Sequence, residues 1–174
     1  DTSGDQGIVG TDAGSVWHVH WSTGASTLLI GAVPSPLTSL AVPRCDAPSV
    51  FASLSSGGVQ GEDCGVLLWD ARERSGRGAA AGDEVCSTPV ARIYQPRETA
   101  TCVALSGPAD AEDAAGDDAH ALSEGLCAVG YASGRVQVIG VCGLSLLRER
   151  RLHAAPLCCV DFAAKLVSVG PTLI

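Results

Sequence analysis

Methionine and asparagine are absent from this chain of 174 residues, and lysine occurs once, at Lys165. Without asparagine there is no N-glycosylation acceptor. Without methionine the chain reads as an excerpt or a processed piece, and no basic-then-apolar leader follows Asp1. Aromatic side chains are scarce, at three Trp, two Tyr and two Phe. A core must therefore be assembled from Val, Leu, Ala and Cys, and there are too few rings for a base-stacking surface. Positive charge is also short: 11 Lys and Arg stand against 19 Asp and Glu, a formal net charge of -8. A field of that sign repels nucleic acid and anionic lipid, so neither is expected as a partner. No apolar run reaches bilayer length; the nearest, Val136 to Leu147, is interrupted by Gln137.

Signatures of catalysis are missing as well. There is no Gly-x-Ser-x-Gly elbow, and Ala164-Lys165-Leu166 rules out a phosphate loop around the single lysine. Gly76-Arg77-Gly78 and Gly82 imitate a dinucleotide loop but follow no strand-to-helix unit, so they read as linker. His18 and His20 would share one strand face and could offer two ligands to a metal, but no third ligand is identifiable, and an alternating strand produces that spacing anyway. We expect no catalytic residue, no cofactor and no metal; the chain is not expected to be an enzyme. The eight cysteines, at 45, 64, 86, 102, 127, 142, 158 and 159, include no Cys-x-x-Cys pair. Most lie inside apolar runs and read as reduced core thiols, with structural disulfides the alternative. Reduced thiols point to a cytoplasmic location.

The 21 Gly and nine Pro indicate many turns, and no window sustains a 3.6-residue period. Three stretches share one pattern: Gly10-Thr11-Asp12-Ala13-Gly14-Ser15-Val16-Trp17, Glu62-Asp63-Cys64-Gly65-Val66-Leu67-Leu68-Trp69-Asp70, and Gly130-Tyr131-Ala132-Ser133-Gly134-Arg135-Val136. In each, a small polar turn ends in glycine and a β-rich run follows at once. The glycine supplies positive φ at a tight hairpin. Strands are expected over 6–11, 16–21, 27–33, 37–42, 49–54, 66–69, 90–94, 101–105, 126–131, 135–141, 146–152, 157–162 and 165–169. On 16–21 the packed face is expected to be Trp17, Val19 and Trp21. The fold class is all-β.

The strands group in fours. Gly130 to Gly170 spans 40 residues, close to the period of about 40–45 residues for a propeller blade. The longer intervals, 51 residues from Gly14 to Gly65 and 69 from Gly65 to Gly134, are explained by insertions at 71–89 and 107–125. The first insertion is rich in Arg, Ala and Gly and the second is acidic. Residues 1–174 thus read as one partial propeller of about three four-stranded blades, with blade remnants at both ends and an incomplete ring. Its open edges would call for remaining blades from the same or another chain.

Leu67-Leu68-Trp69-Asp70 resembles the Trp-Asp terminus of the WD-repeat β-propeller family. His153, ahead of Leu157-Cys158-Cys159-Val160-Asp161-Phe162, resembles the histidine that precedes the next strand in such repeats and bonds an aspartate in the hairpin turn; Asp12 and Asp63 stand at that aspartate's place. Gly14, Gly65, Gly134, Trp69, Asp70 and His153 form the repeat signature. The pattern is incomplete, because Gly31-Ala32 stands where Gly-His is usual and Ile139 replaces the third Trp. The stretch Gly7 to Trp17, with Trp21 and Ser26 to Ile30, resembles more specifically the large centriolar and ciliary WD-repeat proteins, and Ala128 to Val136 agrees in register. That resemblance implies a non-enzymatic scaffold of the centriole, basal body or cilium, associated with the microtubule cytoskeleton. Its partners would be other proteins, such as tubulin or microtubule-associated proteins. The alternative is a soluble adaptor in a ubiquitin-ligase or trafficking complex. Two arginine clusters could contact an acidic partner: Arg72 and Arg74 with Arg77 in the first insertion, and Arg148, Arg150 and Arg151 on an outer strand. The bland reading of both is a solvated edge, where charge resists strand-to-strand aggregation.

Overall fold

Val16-Trp17-His18-Val19-His20 contains two β-branched residues and is bounded by a glycine turn before it and a polar turn after it; it forms a strand, and the same local logic holds along most of the chain. The structure, a computed structural model, describes residues 5–31, 36–43, 50–55, 65–70, 89–95, 98–106 and 125–162. Among them the regular elements are β1 (Gln6–Gly10), β2 (Val16–His20), β3 (Ser26–Ile30), β4 (Leu37–Ala41), β5 (Val50–Ser55), β6 (Gly65–Asp70), β7 (Ala91–Ile93), β8 (Ala100–Leu105), β9 (Leu126–Tyr131), β10 (Arg135–Gly140) and β11 (Leu146–Arg151). No helix occurs among the described residues, and the fold is all-β.

The strands form three antiparallel sheets, β1-β2-β3, β4-β5-β6-β7 and β8-β9-β10-β11, each a meander in which spatial order follows chain order. The first sheet has three strands where four per unit were expected. Its turn identifies which three. Gly14 N–H donates to the Thr11 carbonyl at 3.0 Å and Gly134 N–H to the Tyr131 carbonyl at 3.0 Å, with φ of 81° and 79°. The β1–β2 and β9–β10 turns are therefore equivalent, and β1-β2-β3 corresponds to β9-β10-β11. Gly134 could not carry a side chain in this position. Besides its left-handed φ, a Cβ there would run into the His153 carbonyl. Gly65 differs: its φ is 136° and it opens β6 itself, while the turn ahead of it lies outside the described residues.

The second sheet is covered on both faces. Ala52, Leu54, Val66 and Leu68 pack with Val103, Leu105, Cys127 and Val129 of the third sheet. Phe51 and Trp69, on the opposite face, pack with Val16, Leu29 and Ile30 of the first. The sheets thus stack in chain order. No closed ring is present among the described residues.

Three expectations are corrected. The packed face of β2 is the one carrying Val16, which is fully buried and lies with Ile30 against Phe51 and Trp69. Register pairs Val9 with Trp17 and Gly7 with Val19, so the face of Trp17, Val19 and Trp21 points away from the second sheet, and Trp21 is 56% exposed. Packing is decided by where the neighbouring sheet lies, and one residue of offset exchanges the faces. Leu157–Phe162 is not a strand: Leu157 N–H reaches the Tyr131 carbonyl at 3.3 Å, but no ladder continues from there among the described residues. Cys158 and Cys159 are exposed, as is Cys142, and are not core thiols. Among the described cysteines only Cys102 and Cys127 are core thiols, and none of the five is in a disulfide. The expected strand over 165–169, the insertions apart from residues 89 and 125, and cysteines 45, 64 and 86 lie outside the described residues.

Candidate functional site

Gln137 is the polar exception in the Val136–Ile139 run of β10, and it is 1% exposed. A buried amide must find partners for its oxygen and its nitrogen. Its Oε1 accepts the Tyr131 hydroxyl at 2.7 Å, and its Nε2 donates to Glu149 Oε2 at 2.8 Å. Gln95, just past β7, approaches the same Oε1 at 3.5 Å. The register places the three strands' contributions side by side, because Gln137 pairs with Glu149 across β10–β11.

Arg135, two residues before Gln137 on the same face, extends the cluster outward. Its Nη1 donates to Glu149 Oε1 at 2.8 Å, and its Nε and Nη2 both meet Glu98 Oε2 at 3.1 Å. Its guanidinium also lies 5.2 Å from the centre of the Tyr131 ring. Ser133 donates to the same Glu98 oxygen at 3.2 Å. Burial pushes the Tyr131 phenol up to about 12, so at neutral pH it remains a donor. The Gln137 amide, and then Arg135, hold the Glu149 carboxyl below its ordinary value. Every ionised group here is matched by an opposite charge or a donor. The cluster ties the β7–β8 link, the β9–β10 turn and edge strand β11 together, and presents Arg135 and Glu149 at the surface. It is suited to positioning and recognition, not to bond-making.

Residues of the repeat signature are dispersed among the sheets. Gly14 and Gly134 sit in the equivalent turns, and Gly65 begins β6. Trp69 is buried on β6, and its indole N–H donates to the Ser53 hydroxyl on β5 at 2.8 Å; Asp70 ends the strand. The Trp69 ring stacks near Phe51, centres 6.3 Å apart. His153 is exposed, and it meets the β9–β10 turn through its backbone N–H, 3.2 Å from the Gly134 carbonyl. No hydrogen bond joins His153 or Asp12 in a histidine–aspartate pair among the described residues; Asp63 lies outside them. Of the arginines, Arg148, Arg150 and Arg151 all lie on β11, an edge strand of the third sheet among the described residues. Arg148 and Arg150 share the face of Val138 and Val136, whereas Arg151 shares the face of Arg135 and reaches the His153 carbonyl at 3.3 Å. Arg72 and Arg74 lie outside the described residues.

His18 and His20 share a face with ring centres 4.9 Å apart, and His18 Nε2 lies 3.1 Å from Gln6 Oε1. No group of three His, Cys, Asp or Glu able to hold a metal occurs among the described residues. A cleft of about 320 Å³ opens between Ser39–Val42 at β4, Cys102–Leu105 of β8, and Cys158–Asp161. Inspection of the sequence did not single out Tyr131, Gln137, Glu149 or Glu98. Gln137, a large polar residue inside an apolar strand, was the available signal; its partners come from other elements and leave no local trace. No family model matches the chain, and no curated protein matches it.

Proposed function

We propose that this chain is a segment of a WD-repeat-type β-propeller and works as a non-enzymatic protein-interaction scaffold of the centriole, basal body or cilium. One observation carries the architectural part. The cleft is lined by β4, by β8 and by Cys158–Asp161. These are the first strands of two successive four-stranded sheets and the segment that follows the last one. Three consecutive units thus bring their leading segments to one place, as sheets succeeding each other around an axis would. The equivalent glycine turns and the buried Trp69–Ser53 bond support the same reading. A stack of sheets joined by surface turns suits binding to other proteins.

The centriolar assignment draws on the resemblance in Gly7–Ile30 and Ala128–Val136. No helix among the described residues is long and apolar enough to cross a membrane. The tagged protein, expressed at native level, is expected to concentrate at centrioles and basal bodies and to co-sediment with microtubule-based structures. Diffuse staining with no pelleting would overturn the scaffold reading and leave the soluble adaptor.

A further inference from the structure

We propose that Cys102 of β8 and the adjacent pair Cys158–Cys159 form a peroxide-responsive thiol site, in which Cys102 closes a reversible disulfide with one thiol of the pair across the cleft. All three residues line that cleft, and none of them is in a disulfide in this structure. Cys102 is buried, whereas Cys158 and Cys159 are exposed. A dissolved oxidant therefore meets the two outer sulfurs first, with the inner one behind them.

Strand alternation turns Cys102 toward the pair. Val103 and Leu105 pack against the second sheet, so Cys102 and Ala104 point to the opposite face of β8. Cys102 is paired there with Gly130 of β9. The segment after β11 covers this place: a Cβ on Gly130 would come within 2.5 Å of the Cys102 sulfur and within 3.3 Å of both Leu157 Cβ and Val160 Cγ1. The Cys102 sulfur also lies 3.9 Å from the Leu157 carbonyl oxygen, one peptide bond away from Cys158. Burial pushes the Cys102 thiol up, the Thr101 hydroxyl draws it down, and Cys159 and Cys158 are near enough to raise it further. Cys127 is turned away from the cleft, because it packs with Val103 and Leu105 on the other face.

Cys158 and Cys159 are poor partners for each other. Consecutive Cα atoms across a trans peptide stand about 3.8 Å apart, short of the roughly 4.4–6.8 Å of an ordinary disulfide. Cys102 comes from a different element, so a bridge to it needs no such compression. The segment is also free to adjust. Among the described residues, the one backbone hydrogen bond that ties residues 157–162 to the third sheet runs from the Leu157 N–H to the Tyr131 carbonyl, at 3.3 Å. A segment held so lightly can shift toward β8 without unfolding the sheet.

Hydrogen peroxide is the only co-reactant needed to close the bridge. The thiolate of an exposed cysteine attacks a peroxide oxygen. The O–O bond breaks, the sulfur becomes a sulfenic acid, and the departing hydroxide takes up the thiol's proton as water. The Cys102 sulfur then attacks the sulfenic sulfur. The S–O bond breaks, and hydroxide leaves with the Cys102 proton as a second water. The two thiols together lose two electrons, and one peroxide is reduced to two waters. A reducing thiol reopens the bridge by exchange. Closed, the bridge joins β8 to the segment that follows β11 and pins that segment at the cleft. The inference rests on the three thiols and the cleft, so it stands or falls separately from the scaffold reading.

Peptide mass spectrometry of the purified, reduced chain tests it after brief exposure to dilute hydrogen peroxide and alkylation of the remaining thiols. A peptide pair joining Cys102 to Cys158 or Cys159 should appear, lighter by two hydrogens than its reduced parts, and should vanish on reduction. The urea midpoint should rise on oxidation and return on reduction. Cys102→Ser and the double change Cys158→Ser, Cys159→Ser should each abolish the joined pair and the shift while keeping the β-sheet circular dichroism; Cys102→Ala serves if the buried serine unfolds the chain. At least one of the two single changes in the pair should retain the bridge. A chain that forms no bridge to Cys102, a bridge confined to Cys158 and Cys159, or a midpoint that does not move when the bridge forms would each overturn the proposal.

Discussion

Trp69 shows what one residue does in a core with few aromatics. Its ring fills the space between the first and second sheets, and its N–H meets Ser53, which is fully buried. No buried side-chain nitrogen or oxygen among the described residues lacks a partner, so removing either half of this bond creates an exception. Trp69→Phe would leave the Ser53 hydroxyl unsatisfied and Ser53→Ala the indole N–H; each is expected to cost about 1–3 kcal/mol, before any loss of packing. Urea unfolding checks this. The double variant should cost less than the sum of the two, because once one partner is gone the other has no bond left to lose. Cys127 illustrates the opposite use of burial: its thiol is pushed up to about 12, which makes it a small hydrophobe and not a nucleophile.

At the scale of the element, edge strand β11 is attached on one side only, to β10, among the described residues. Glu149 reinforces that attachment through Gln137 and Arg135. The first sheet has a comparable carboxylate clasp, with Asp5 held below its ordinary value by the Ser22 hydroxyl and then by its backbone N–H. For both groups the folded-state value is depressed, so the unfolded chain binds more protons in acid. Their contribution is present above the ordinary values of 4.5 for Glu149 and 3.8 for Asp5, and is lost as pH falls through the lower folded values. Thermal unfolding between about pH 7 and about pH 3 should show a falling midpoint on the acid side. Glu149→Gln is expected to flatten that limb, and a limb of unchanged slope in this variant and in Asp5→Asn would remove both carboxylates from the account.

At the scale of the molecule, the second sheet links the other two. Phe51 and Leu54 belong to opposite faces of β5, the first packed toward β1-β2-β3 and the second toward β8-β9-β10-β11. Both are fully buried. Leu54→Ala should cost about 2–5 kcal/mol and Phe51→Ala about 3–5 kcal/mol. If the sheets fold as one unit, calorimetry of either variant will show a single, lowered transition; two transitions would mean that the first sheet melts independently.

Local chemistry was enough to place most of the strands. β-branched and apolar runs bounded by glycine turns marked β1, β2, β5, β6 and β8 to β11 to within about two residues, because a hairpin is specified by residues close together in sequence. Leu157–Phe162 has the same composition but not the same outcome. Strand formation needs a partner edge along its length, and among the described residues that run hydrogen-bonds β9 only at Tyr131. The outward orientation of Trp17, Val19 and Trp21 was likewise out of reach, since both faces of β2 contain apolar or aromatic groups and only the position of the second sheet selects between them. The polar cluster depends still more on tertiary structure: Glu98, Tyr131, Gln137 and Glu149 come from four different segments. Sequence determined the all-β class and the hairpins. Tertiary structure decided which faces are buried and which side chains meet, because both depend on groups distant in the chain.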